Sequence, residues 1–167
     1  IFTVGDLTMD PTTGRTPTEH ERIKATVTIA RKAEEVGLDV FATGEHHNPP
    51  FVPSSPTTTL AYIAAQTSKI LLSTSTTLIT TNDPVKIAED YATLQHLTDG
   101  RMDLMLGRGN TGPVYPWFGQ DIRKGVEIAV ENYALLRQLW EKDVVDWSGN
   151  FRTPLQGFTA TPRPLDG

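Results

Sequence analysis

The chain has 167 residues, 38% of them hydrophobic and 21% charged, with a net charge of −5 and no cysteine. That length can bury one sizeable core. The missing cysteines exclude disulfides, thiolate metal sites and cysteine nucleophiles, and the acidic balance without a basic patch argues against nucleic acid or an anionic membrane as partner.

The first apolar run, Ile1 to Gly5, reads as a short strand that stops at Gly5-Asp6. A polar loop with Pro11, Gly14 and Pro17 leads to Thr18, which with Glu21 makes a capping-box pattern opening a helix. Ile23, Val27, Ala30 and Ala33 recur there at helical spacing, and Gly37 is a natural terminator. A second strand, Asp39 to Thr43, runs into Gly44-Glu45-His46-His47 and then a proline-rich loop through Ser54. Ser55-Pro56 reads as an N-cap followed by proline, with Leu60, Ile63, Ala64 and Thr67 on one face of a helix to about Ser68.

Ile70 to Thr76 is the third strand. Asp83-Pro84 repeats the cap signal, and the helix it opens presents Ala88, Tyr91 and Leu94 or Gln95 before Gly100. The fourth strand is expected over Arg101 to Leu106, ending in Gly107-Arg108-Gly109-Asn110, and an aromatic loop follows with Tyr115, Trp117 and Phe118. The fourth helix, Ile122 to Lys142, is expected to turn Val126, Ala129, Val130, Tyr133, Leu136 and Trp140 inward, and residues 143–167 read as turns and short strands.

Apolar strands alternating with amphipathic helices argue a parallel sheet covered by helices. On pattern alone an open doubly wound sheet and half of a (β/α)8 barrel both fit, a whole barrel needing about 250 residues. No apolar run approaches the roughly 20 residues that span a bilayer.

The odd residues collect after strands. Glu45-His46-His47 suits acid–base or hydrogen-bonding chemistry, since an imidazole titrates near neutrality and a carboxylate can fix its tautomer. The competing reading is a polar loop start with one histidine packed on the proline-rich segment. Metal is disfavoured: strand alternation puts Glu45 and His47 on one face and His46 on the other, and no ligand spacing supports zinc. Ser73 to Thr77 are five consecutive hydroxyl residues, able to bond a polar heterocycle or to satisfy one another in a turn.

Gly107-Arg108-Gly109-Asn110-Thr111-Gly112 fits G-x-G-x-x-G, but Pro113 and Pro116 follow where a dinucleotide fold needs a helix to open. Its glycines still permit close backbone approach, and Arg108 reads either as a phosphate ligand or as a surface arginine. In parallel β/α proteins the edge where these clusters fall is where active sites sit.

The run Gly44-Glu45-His46-His47, the hydroxyl-rich third strand with Asn82-Asp83-Pro84, Leu97-Thr98-Asp99-Gly100-Arg101-Met102-Asp103-Leu104 and Gly107-Arg108-Gly109 together resemble the bacterial luciferase-like flavin-dependent monooxygenases over essentially the whole chain. The stretch Gly109 to Gly119 resembles an FMN-dependent branch. The resemblance implies a (β/α)8 TIM barrel of which residues 1–167 form one domain, its first four β/α units, with the remaining strands expected after Pro164.

It also implies reduced FMN, supplied by a separate flavin reductase and reacting with O2 to oxygenate a small-molecule substrate. The alternatives are a deazaflavin-dependent hydride-transfer oxidoreductase and a non-catalytic flavin-binding protein. His46, with Glu45, takes the catalytic position. Ser75 and Thr76 match a pair joined by a non-proline cis peptide beneath the flavin ring. Arg108, with Gly109 and Asn110, matches the phosphate-binding turn. Bacterial luciferase itself has a cysteine where Gly107 stands, so cysteine-dependent behaviour is not expected, and neither is light. A cytoplasmic homo-oligomer is expected, and half a barrel alone should be unstable or associate.

Overall fold

The computed structural model describes residues 1–165 as two compact units, one built from Ile1–Thr77 with Arg101–Met105, the other from Leu78–Gly100 with the chain from Leu106 onward.

In the first unit, strands β1 (Phe2–Thr3), β2 (Val40–Thr43) and β3 (Leu71–Thr74) form a parallel sheet in that order, with helices α1 (Glu19–Glu35) and α2 (Pro56–Ala64) between them in sequence. The capping box is present: Thr18 Oγ1 accepts from Glu21 N at 3.2 Å and the Glu21 carboxylate accepts from Thr18 N at 2.8 Å. Gly37 ends the helix at φ +81°, a conformation side chains resist.

Ser55 does not cap α2, because its hydroxyl pairs with Thr58 Oγ1 at 2.7 Å instead; Pro56 at the first turn still sets the start. Phe41, Leu60, Ile63, Ile70 and Leu72 are fully or almost fully buried, whereas Ile23, expected on the inner face of α1, is exposed. The neighbour Thr26 takes the inner position, its hydroxyl donating to Arg22 O.

Residues 101–105 lie beside β3 but are not a strand. Leu72 N donates to Arg101 O and Asp103 N to Leu72 O, both at 2.8 Å, giving one parallel bridge, Leu72 with Met102. The next rung is broken by a side chain. Thr74 Oγ1 accepts from Met105 N at 3.2 Å and donates to Met105 O at 2.8 Å. A hydroxyl has replaced the backbone partner, which is why the strand expected over Arg101 to Leu106 is interrupted.

The unit is tied at its other end by charge. Glu34 accepts the N–H groups of Ser68, Lys69 and Ile70, with the Ile70 bond leading the causes that hold its carboxyl below the usual range. Arg101 donates to the carbonyls of Thr67 and Ile70, closing the end of the α2 segment.

In the second unit, α3 (Pro84–Leu97) is capped by the Asp83 carboxylate at 2.8 Å from Val85 N, with Pro84 at its first position. The short strand β4 (Thr77–Leu78), whose first residue closes the first unit, precedes it and β5 (Leu106–Gly107) follows; within the second unit Ile79 N donates to Gly107 O at 3.0 Å. A one-turn helix α4 (Val114–Trp117) stands where an aromatic loop was expected, started by a turn in which Val114 N donates to Thr111 O.

The last helix, α5 (Gly125–Glu141), follows a 3-10 turn over Ile122–Lys124. Its inner face differs from expectation. Ile128, Asn132, Leu135, Leu136 and Leu139 are buried, while Val126, Val130 and Tyr133 are 50–64% exposed. The buried stripe is disguised by Asn132, whose side chain is satisfied by donating Nδ2–H to Ile79 O at 2.8 Å. Trp140 spans from α5 to α3, donating to Ala88 O at 3.1 Å. The segment after α5 forms an antiparallel pair, β6 (Val145–Trp147) with β7 (Leu155–Phe158), and its positions 166 and 167 lie outside the described residues. Among the described residues no helix is long and apolar enough to cross a membrane.

Candidate active site

The carboxyl ends of β2 and β3 meet in the first unit. Gly44 N donates to Thr3 O at 3.2 Å and Ser75 N to Thr43 O at 2.8 Å, so the ladder extends one residue beyond each strand. The proline-rich loop folds back over Gly5 and Asp6: Val52 N donates to Gly5 O, Leu7 N to Pro50 O, and His46 N to Pro53 O at 2.9 Å.

His46 is half-buried, its ring stacked on Phe51 with centroids 4.3 Å apart and planes 23° off parallel. Burial holds its imidazole below the ordinary histidine value; Glu45 opposes that shift and His47 adds to it. A neutral ring near pH 7 can accept a proton or donate one hydrogen bond.

Of the two sequence readings of this run, the packing is seen: the His46 ring lies on Phe51 of the proline-rich segment. Glu45 acts on that imidazole through its charge and makes its hydrogen bond to the next residue. That carboxylate is 4% exposed and bonds His47 Nε2 at 2.8 Å, as the alternation of side chains expects.

Gly44 explains how the ring fits. A Cβ placed on it would lie 3.1 Å from His46 Nε2 and 3.2 Å from Ser75 O. Gly44→Ala is expected to displace the imidazole by a few tenths of an ångström and lower the turnover of the whole protein about tenfold, since positioning errors approaching 1 Å cost about a hundredfold. Steady-state kinetics beside a thermal melt checks this: the rate should fall while cooperative unfolding persists.

The Ser75–Thr76 peptide is cis. The five hydroxyl residues divide by partner. Ser73 donates to the Asp103 carboxylate at 2.7 Å, and Thr74 completes the broken ladder. Ser75 and Thr76 are half-buried, and among the described residues their hydroxyls have no hydrogen-bond partner. Sequence reasoning missed Thr43, whose fully buried hydroxyl is also unpartnered at the end of β2.

In the second unit, Arg108 and Asn110 are exposed and Gly109 turns at φ +73°. Among the described residues the Arg108 guanidinium has no ion pair, though four acidic side chains of this unit, Asp83, Asp121, Glu141 and Asp143, engage other arginines. Tyr115, expected in a loop, is 2% exposed, and its hydroxyl donates to Arg108 O at 2.6 Å. Trp117 and Phe118 are 60% and 40% exposed.

Thus the structure brings together Gly44, His46, Phe51 and Ser75 in the first unit, and Arg108, Gly109 and Tyr115 in the second. Among the described residues no cluster of three His, Cys, Asp or Glu has the arrangement of a metal site.

The family model described as luciferase-like monooxygenase matches residues 1–167, the whole chain. The chain belongs to the luciferase-like monooxygenase family. It is 35% identical over 100 residues to the N-acetyl-S-alkylcysteine monooxygenase of Bacillus subtilis, a match covering 59% of this chain and 30% of that protein. It is 33% identical over 137 residues to the putative coenzyme F420-dependent oxidoreductase Rv3520c of Mycobacterium tuberculosis, covering 80% and 38%. Among solved structures it is similar to the monooxygenase RslO1 from Streptomyces bottropensis, with a TM-score of 0.87 at 25% identity over 99% of this chain and 50% of that one.

The chain thus spans about half the length of that solved relative and less of the two curated ones. Its fold class is the luciferase-like TIM barrel, of which it covers a part.

Proposed function

We propose that the whole protein is a flavin-dependent monooxygenase that uses reduced FMN and O2 to oxygenate a small organic substrate, with residues 1–167 contributing half a barrel as one domain and a separate reductase supplying the reduced flavin. The observation that carries the reading is the neutral, half-buried His46 seated against Gly44 and Ser75 at the carboxyl ends of β2 and β3.

The residues fit a flavin. Among the described residues, Ser75 and Thr76 offer half-buried hydroxyls without hydrogen-bond partners, and Arg108 offers a charge without an ion pair at a glycine turn. A bound reduced flavin would supply two-electron activation of O2. In the first unit, taken by itself, Ser75 and Thr76 would hydrogen-bond a polar heterocycle edge; in the second, taken by itself, Arg108, Gly109 and Asn110 would hold a phosphate.

His46 would hold or move a proton at Nε2 beside Gly44. Phe51 and Pro53 would keep bulk water from that imidazole, which matters where a reactive oxygen species must not be lost to solvent. Glu45 would act through His47, fixing its ring by the 2.8 Å bond.

A second reading, hydride transfer with the deazaflavin F420, is favoured by the 33% identity to the mycobacterial relative over 80% of this chain. The monooxygenase names of the family and of the Bacillus relative favour FMN, because oxygenation needs a flavin that reacts with O2. Titrating the whole protein with FMN and with F420, then following O2 consumption with reduced FMN, separates the two. Tight FMN binding and O2 uptake are expected; F420 binding without O2 uptake would sink the monooxygenase reading.

A further inference from the structure

The second unit holds the backbone of Arg108 from two sides, while among the described residues its charge has no ion pair. Arg108 O accepts Thr80 Oγ1–H at 2.7 Å and Tyr115 Oη–H at 2.6 Å, with Gly109 O 3.2 Å from the same phenol oxygen. Thr80 and Tyr115 are 1% and 2% exposed. Two buried hydroxyls on one carbonyl use both of its lone pairs, so the peptide after Arg108 has little freedom to rotate.

Gly125, the first residue of α5, completes the arrangement. A Cβ there would sit 2.8 Å from Tyr115 Oη and 3.2 Å from Arg108 Nη1. The absent side chain is what lets the phenol and the guanidinium lie side by side. Gly125 has ordinary helical backbone angles, so turn geometry does not account for the glycine; the close approach does. On the next residue, Gly109 lies against Leu78, whose Cδ2 would be 3.2 Å from an added Cβ.

We infer that Thr80, Tyr115 and Gly125 are positioning residues that aim Arg108, and that through it they set the preference of the protein for a phosphorylated flavin over the same ring without phosphate. The inference rests on the phosphate role given to Arg108 above. Fixing the peptide that carries the guanidinium, with Gly125 leaving room beside Nη1, narrows where the charge can point before an anion binds, so the clamp contributes selectivity without touching the ligand.

The test is the ratio of dissociation constants for riboflavin and FMN, measured on the whole protein by quenching of flavin fluorescence, with a thermal melt of each variant. If the protein binds F420 instead, the pair is F420 and its phosphate-free chromophore, judged in the same way. The unmodified protein is expected to favour the phosphorylated form at least about tenfold, the value of a charged hydrogen bond. Arg108→Ala should bring the ratio near one. Tyr115→Phe and Thr80→Val, which keep shape and remove one hydroxyl each, should lower it about three- to tenfold while riboflavin affinity stays within about twofold. Gly125→Ala should act in the same direction.

A ratio that collapses in Arg108→Ala but is unmoved in Tyr115→Phe, Thr80→Val and Gly125→Ala overturns the clamp and leaves the Arg108 reading standing. Equal losses for both ligands in the clamp variants mean a merely structural role and also overturn it. A ratio unmoved by Arg108→Ala, or no binding of either pair, removes the phosphate reading and the inference with it.

Discussion

Replacing His46 by alanine is expected to lower turnover by about 10²- to 10⁴-fold, the range for loss of a positioned proton donor or acceptor. The ring has the attributes such a group needs. It is half-buried, it stacks on Phe51, and its main chain is tied to Pro53 O. Alanine leaves that backbone bond available, so the fold should survive.

The pH profile sharpens the test. Burial, the largest cause, lowers the imidazole pKa from 6.5. A rate that needs the neutral ring is therefore full at pH 7 and falls only as pH drops through a value below 6.5. The same sign holds for stability, since the native state resists protonation: this contribution is complete above 6.5 and is lost as pH falls below it. In His46→Ala the acid limb should vanish from the residual rate. An undiminished rate, or an acid limb unchanged in the variant, would remove His46 from the mechanism.

Gly5→Ala is expected to destabilise the protein by about 2–4 kcal/mol. Gly5 has φ +64°, which costs a side-chain-bearing residue about 1–2 kcal/mol. Its added Cβ would also stand 2.7 Å from Pro53 Cδ and 2.9 Å from Cγ, and overpacking of this kind adds about 1–3 kcal/mol. A proline ring cannot rotate away, so the loop must move. Because Pro53 O receives the His46 N–H, the rate should fall with the stability. Gly14→Ala is the control: φ is +68° but nothing lies within 4 Å of the added Cβ, so only the backbone cost applies. Urea denaturation of the two variants separates conformational strain from the clash, and equal losses would contradict the role given to Pro53.

Much of this was legible because some residues act locally. Thr18 with Glu21, Asp83 with Pro84, and Gly37 fix helix ends through bonds to their own neighbours, and those ends are found where the chain reads them. Gly44-Glu45-His46-His47 stood out as a candidate site because polar residues follow directly on an apolar strand.

What escaped depended on partners distant in sequence. Thr74 lies 31 residues from the Met105 backbone it bonds, so nothing local warned that the fourth strand would break there. Asn132 looks polar in sequence, yet Ile79 O, 53 residues away, makes it a core residue and rotates the inner face of α5. Tyr115 read only as part of an aromatic loop, and the fold reveals its phenol donating to Arg108 O. The resemblance pointed at Arg108; the hydroxyls that hold it carry no signature of their own.

The division into two units has a consequence for optical work on the molecule. The chain's three tryptophans, Trp117, Trp140 and Trp147, all fall in the second unit, and the first has none. Intrinsic tryptophan emission from this chain therefore reports loosening around α3 and α5 and is blind to the surroundings of His46. Phe51→Trp would place an indole on the imidazole it now stacks against. Protonated imidazole quenches indole more strongly than the neutral ring does, so the intensity of emission from that position would report the charge of His46 in a unit that has no tryptophan of its own.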